Sequence, residues 1–254
     1  FLLIFILMFF IFESLSRKKV KFHNIANNEN KNKKKIKLSG FKNFTAFSFC
    51  FLLFGISFLF PLSMMLSWTV SFPNYFNLSQ IIQLNLNSLK LILISSIIII
   101  FLSLITNFGE RILKSNFLAF CSSLSISGYA IPGIVVSVAV IGFFTSLDKL
   151  FQINTKSYFI GSLSGLVFGY CIRFYSISFN TIKTVYLKIN NSIDESAYLL
   201  GFSKLKVLKS IHLPFLQKNF IFAFILISIE IIKELPITLI LRPFNFDTFA
   251  TNAF

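Results

Sequence analysis

Apolar runs of roughly twenty residues recur along this 254-residue chain, and a helix of that length crosses about 30 Å of hydrocarbon. The purest of them, about 88–106, is almost entirely Leu, Ile and Ser. Further runs fall at about 44–67, 129–147, 157–177 and 217–236, so five full crossings are expected. Residues 1–12, FLLIFILMFFIF, read as the tail of one more span, with no basic segment ahead of it as a signal peptide requires. A longer parent chain is therefore expected. Only 13% of residues are charged, half of what soluble domains carry, which points to an all-α membrane protein.

The polar segments give a direction. Residues 13–42 form a basic stretch that reads as a linker ahead of a membrane domain at 43–254. If that linker is cytoplasmic, counting crossings forward puts most of the 24 Lys and Arg inside, leaving only Lys90, Lys149, Lys156, Lys233 and Arg242 outside. The net charge of +15 then follows from the positive-inside rule, and no nucleic-acid partner is needed to explain it. Uncharged residues 68–86 read as an outer loop, and 178–216 as a long inner one. Residues 107–127 read as an interfacial or short cytoplasmic helix, with Pro132 in the first turn of the span that follows.

Cys50, Cys121 and Cys171 are far apart in apolar surroundings, and His23 and His212 lie in basic segments. No metal site, catalytic dyad or phosphate-cradling glycine loop is expected, so no cofactor is assigned and the chain is not expected to hydrolyse ATP itself.

The inner loop carries the most local information. Ser192 followed by Glu195 has capping-box spacing, and Asp194 adds negative charge to the same first turn. Gly201 ends that helix. Ser203 caps a second, 204–212, with Leu205, Leu208 and Ile211 on one face, and Pro214 stops it before the last span. The expected product is a helix–turn–helix elbow at 192–214. On these grounds alone, lying on anionic lipid explains the elbow as well as binding a partner does.

Glu195-Ser196-Ala197-x3-Gly201-x9-Ile211-x-Leu213-Pro214 resembles the E-A-A-x3-G-x9-I-x-L-P loop of binding-protein-dependent ABC importer permeases, with Ser196 in place of the second motif residue. The resemblance implies a type I importer transmembrane domain whose coupling loop docks on cytoplasmic ATP-binding subunits. Glu195 would anchor that contact, Ala197 permit close approach and Gly201 set the bend. Lys233-Glu234-Leu235-Pro236-Ile237-Thr238, then Leu241-Arg242-Pro243-Phe244-Asn245-Phe246-Asp247-Thr248, is similar to a stretch of iron(III) permeases, with Phe249 where those have Leu. Gly128–Gly133, Arg173-Phe174 and Glu13–Arg17 also look like that group. It implies an inner-membrane importer of two fused six-helix halves, or a homodimer, supplied by a periplasmic substrate-binding protein. This chain would be the end of one half and most of the next, without its last helix.

Glu230, Lys233 and Glu234 share one helix face near the outer end of the last span, a costly cluster unless paired or facing water. It either fixes packing or meets substrate. Arg242 and Asp247 beyond it either close a gate or meet the binding protein. Permeases for thiamine, sulfate or phosphonate, an ion-coupled secondary transporter and a membrane scaffold without transport are the competing readings.

Overall fold

The computed structural model describes residues 40–71, 77–152 and 154–254. The expected tail at 1–12, nearly all of the linker and the Glu13–Arg17 match lie outside the described residues. Every regular element among the described residues is helical. Four helices are long and apolar enough to cross a membrane: Phe41–Ser71, Leu78–Leu113, Gly133–Phe151 and Lys204–Lys233. The chain divides into two compact units, Leu15–Ile81 and a unit that includes Ile82–Phe254.

In the smaller unit, α1 (Phe41–Ser71) is apolar all round, and none of its residues is buried. A π turn at Gly55–Leu59 interrupts it two residues before Pro61, where the Phe60 N–H reaches back to the Gly55 carbonyl. Proline lacks an N–H and collides with the carbonyl four residues earlier, here that of Ser57. Widening the turn ahead of it moves that carbonyl aside and keeps the helix continuous.

The larger unit begins within α2 (Leu78–Leu113). The expected outer loop therefore ends earlier than composition indicates. Asn77 Oδ1 accepts from the Gln80 N–H, and Leu84, Ser88, Leu91 and Ile92 are buried at helical spacing. Polar residues on the other faces hid this first part of the helix. Then come α3 (Asn116–Ile126), a tight turn at Ser127–Ala130, α4 (Gly133–Phe151) and α5 (Lys156–Phe159). Pro132 stands just ahead of α4, not in its first turn, and the helix starts at Gly133, four residues later than the expected start of that span. Nor is α3 an isolated surface helix, because it packs on α6 (Leu163–Tyr186). At the turn after α3, a Cβ on Gly128 would stand 2.2 Å from the Ile172 carbonyl oxygen, so only glycine allows this approach to α6. Of the interfacial helix expected at 107–127, the part up to Leu113 is the end of α2, and the rest is α3, which the turn at Ser127–Ala130 separates from α4.

The core is arranged around α6. Ser162 caps its start by accepting from the Gly165 N–H, and Leu166, Tyr170, Phe174, Phe179 and Ile182 are completely buried along it. At 24 residues, about 36 Å, it is long enough to span but too polar to count by composition. Side chains of its neighbours cover it in place of lipid, and α8 (Lys204–Lys233) packs along it most extensively. The helix also runs nine residues beyond the span expected at 157–177, because Phe179, Ile182 and Tyr186 continue the buried stripe while Asn180, Thr181 and Lys183 lower the hydropathy.

Candidate functional site

Between α6 and α8 the chain forms the elbow. Its first arm, α7 (Asn191–Leu199), is capped by Asn190, whose side chain accepts from the Ser192 N–H. The expected Ser192–Glu195 capping box is not made, because the cap falls two residues earlier, at Asn190, and places Ser192 inside the helix. At the other end the Phe202 N–H donates to the Ala197 carbonyl at 3.0 Å and the Gly201 N–H to that of Tyr198 at 2.9 Å. This is a Schellman ending, with Gly201 at φ +80°, a conformation that strains any residue with a Cβ.

Ser203 caps the second arm by accepting from the Lys206 N–H, as its spacing indicated. The arm does not stop at Pro214. It runs through a π turn at Leu208–His212 into the long part of α8, and the Leu213 N–H bonds the Leu208 carbonyl. The geometry repeats that before Pro61, with the widened turn again ending two residues ahead of proline. Five-residue spacing also changes which face is inside. Val207, His212 and Leu216 are fully buried, while of the three residues expected on one face Leu208 and Ile211 are half-buried and Leu205 is 73% exposed.

Of the matched loop residues, Ala197 is buried, Ile211 and Leu213 are half-buried, and Glu195, Ser196, Gly201 and Pro214 are exposed. Leu199 and Leu200 at the bend join Leu205 as an apolar tip, 90%, 77% and 73% exposed, beside exposed Lys204, Lys206 and Lys209. A groove of about 320 Å³ between the arms is lined by Ser196, Ala197, Leu200 and Ile211.

Behind the elbow lies a buried cluster that sequence reasoning did not assemble. Asp194, on the inner face of α7, is 8% exposed. Its Oδ2 accepts from Arg111 Nε at 2.6 Å, and its Oδ1 lies 3.0 Å from His212 Nε2. Arg111, near the end of α2, also donates to the carbonyls of Tyr186 and Ile189 at 3.0 and 3.1 Å and of Asn190 at 3.2 Å. Burial pushes the Asp194 carboxyl up, but the bonds and charges of Arg111 and His212 outweigh it and hold Asp194 below the ordinary carboxylate value. An ionised carboxylate only accepts, so His212 Nε2 carries a hydrogen. The His212 ring is fully buried, edge-on to Tyr186 and Phe108 at 5.2 and 5.7 Å. Composition placed these residues in polar loops. The only signal for the cluster was an acidic residue on the same helical face as the small residue Ala197.

The second charged group is divided by the structure. Lys233 Nζ pairs with Glu230 at 2.7 Å on the outside of α8. Glu234 turns inward and meets Arg173, near the middle of α6, at 3.5 Å. It sits between α8 and α9 (Pro236–Leu241), beside the break between α3 and α4: a Cβ on Gly133 would fall 2.4 Å from Glu234 Oε1. Arg173 Nε and Nη1 are buried and make no hydrogen bond among the described residues. Nearby, the Tyr170 and Thr238 hydroxyls pair at 2.5 Å, joining α6 to α9. Arg242 and Asp247 pair with each other across a turn, and Asn87 of α2 donates to the Asp247 carbonyl at 3.0 Å. The cluster expected at 230–234 is therefore divided: Glu230 and Lys233 pair with each other, and Glu234 pairs with Arg173. A cavity of about 410 Å³ on the α6 surface, bordered by Thr106, Gly128, Ile131, Cys171 and Tyr175, opens where α3 breaks from α4. Among the described residues, no three His, Cys, Asp or Glu side chains converge as metal ligands would.

No protein-family model matches this chain, and no curated protein matches it significantly.

Proposed function

We propose that this chain is the membrane-spanning permease subunit of an ATP-driven, binding-protein-dependent importer of the inner membrane, moving substrate to the cytoplasm by alternating access. The elbow carries this reading. Its arms are locked by caps and a left-handed glycine, and it holds Leu199, Leu200 and Leu205 out to solvent at a bend. Exposed leucines on a rigid bend are costly in water and fit a hydrophobic groove on a partner. A surface helix lying flat on lipid needs its apolar residues along one face, not gathered at a turn between two helices. Direct continuity of the second arm with α8 supports a lever role, since movement at the tip reaches a span without an intervening loop.

In this reading ATP closes two cytoplasmic ATPase subunits and draws the elbow with them. The spans rock, and the cavity opens toward the periplasmic binding protein. Differential affinity of the ATPase for the two elbow positions shifts the equilibrium. Iron(III) is the proposed cargo, resting on the 233–248 and 128–133 resemblances; thiamine, sulfate and phosphonate are the alternatives. The buried Arg173–Glu234 pair is the one observation that favours an ion-coupled secondary transporter. Co-purification separates the two: an ATP-binding subunit that follows the wild-type chain and is lost when Leu199 and Leu200 become Asp supports the importer. A chain that transports without any ATPase overturns it.

A further inference from the structure

The elbow's inner side is tied to more than the helix that continues from it. Arg111 belongs to α2, Asp194 to the first arm, His212 to the second, and the Tyr186, Ile189 and Asn190 carbonyls to the end of α6 and the turn after it. The guanidinium bonds four of these groups at once, and the imidazole bonds the same carboxylate from the opposite side. Lys183 of α6 adds a pair with Glu110 of α2 at 3.3 Å, one residue from Arg111. The contacts are largely dry: the Arg111 and Asp194 side chains are 9% and 11% exposed and His212 is fully enclosed. A planar fork with every acceptor in place loses most of its bonds together if one element rotates away.

We propose that Arg111, Asp194 and His212 are positioning residues of a buried joint that makes both arms of the elbow and the ends of α2 and α6 move as one body. The π turn contributes to this. By setting His212 five positions after Val207, both completely buried, it turns the imidazole inward beneath the first arm. Displacement of the tip then reaches α2 through Arg111 as well as α8 through the continuous helix. Without the joint, α7 is held chiefly by its two capped ends, and a pull on the tip is dissipated in swinging the arm. This inference deepens the elbow reading above and rests on it for the source of the pull.

The test uses the full chain in lipid nanodiscs, with Cys50, Cys121 and Cys171 replaced by Ser and spin labels at Leu113→Cys and Tyr198→Cys, both exposed positions outside the leucine tip. Pulsed electron resonance should give one narrow distance. His212→Phe, which keeps an aromatic ring but cannot bond Asp194, should broaden it, and Arg111→Gln should broaden it further. His212→Gln, which retains a donor, should restore much of the narrow distribution, as a merely space-filling role would not. A distribution as narrow in His212→Phe as in wild type overturns the joint, and that variant decides the matter if Arg111→Gln does not fold. With ATPase subunits bound, nucleotide should leave the wild-type distance unchanged while uptake per ATP falls in His212→Phe. A wild-type distance that shifts with nucleotide also overturns it. Failure of any ATPase to bind sinks the importer reading and leaves the nucleotide-free distances to judge the joint.

Discussion

Two buried ion pairs lie along α6, and they are built differently. At its end, Asp194 is held from both sides by Arg111 and His212, and Arg111 directs its remaining donors at three carbonyls. Near its middle, Arg173 approaches Glu234 only to 3.5 Å and keeps buried donors without hydrogen bonds among the described residues. Burial of charge is tolerated when the geometry satisfies every group, and a half-satisfied pair is poised to exchange partners. The first is the arrangement of a fixed joint. The second sits between two interrupted helical pairs, α3–α4 and α8–α9, where the pathway of the proposed importer would need a loose contact.

The sharpest way to break this contrast is to remove one cation from each pair. Arg111→Gln leaves Asp194 buried and opposed by His212 alone, with an expected loss of about 3–5 kcal/mol. Thermal unfolding in detergent should show a large fall in midpoint. Arg173→Gln should cost less, about 1–3 kcal/mol, since fewer bonds are lost. Equal falls in the two variants would erase the distinction.

Acid sharpens the comparison from the joint's side. Asp194 has a folded pKa below its unfolded one, so its ionised form stabilises the fold above the ordinary carboxylate range. That contribution is lost as pH falls through the lowered folded value. Unfolding midpoints measured downward from pH 7 should therefore drop steeply below about pH 4, and Asp194→Asn should flatten that limb.

A smaller effect is expected at the bend. Gly201→Val forces a branched side chain into φ +80°, at a cost of about 1–2 kcal/mol. The chain should still insert, while uptake per ATP hydrolysed declines in reconstituted vesicles. Smallest of all is Lys233→Met. The Lys233–Glu230 pair faces outward, so the melting midpoint should not move. Uptake tells the two charged groups apart: Glu234→Gln should slow it and Lys233→Met should leave it at the wild-type rate, and equal slowing would put both on the pathway.

Much of the helical plan was legible from local chemistry. Apolar length marked the four long helices, and Ser203 and Gly201 marked the cap and the bend, because each acts through its own backbone and immediate neighbours. Hydropathy misjudged α6 at its lower end and α2 at its start. Both carry polar residues on one side and a buried stripe on the other, and an average over a window cannot separate faces. Pro214 read as a stop, since the rule against internal proline says nothing of a widened turn that accommodates it.

The order of amino acids is enough to specify long apolar helices and a capped, glycine-bent elbow between two of them. Those features depend on contacts within a few residues. Packing of the whole chain is what brings Arg111 to Asp194 across 83 positions and turns Glu234 from its helical neighbours to Arg173. Nothing in local spacing encodes such pairings. They exist because packing against α6 brings distant ionisable groups into a space with little water, where each must find the other or remain unpaired.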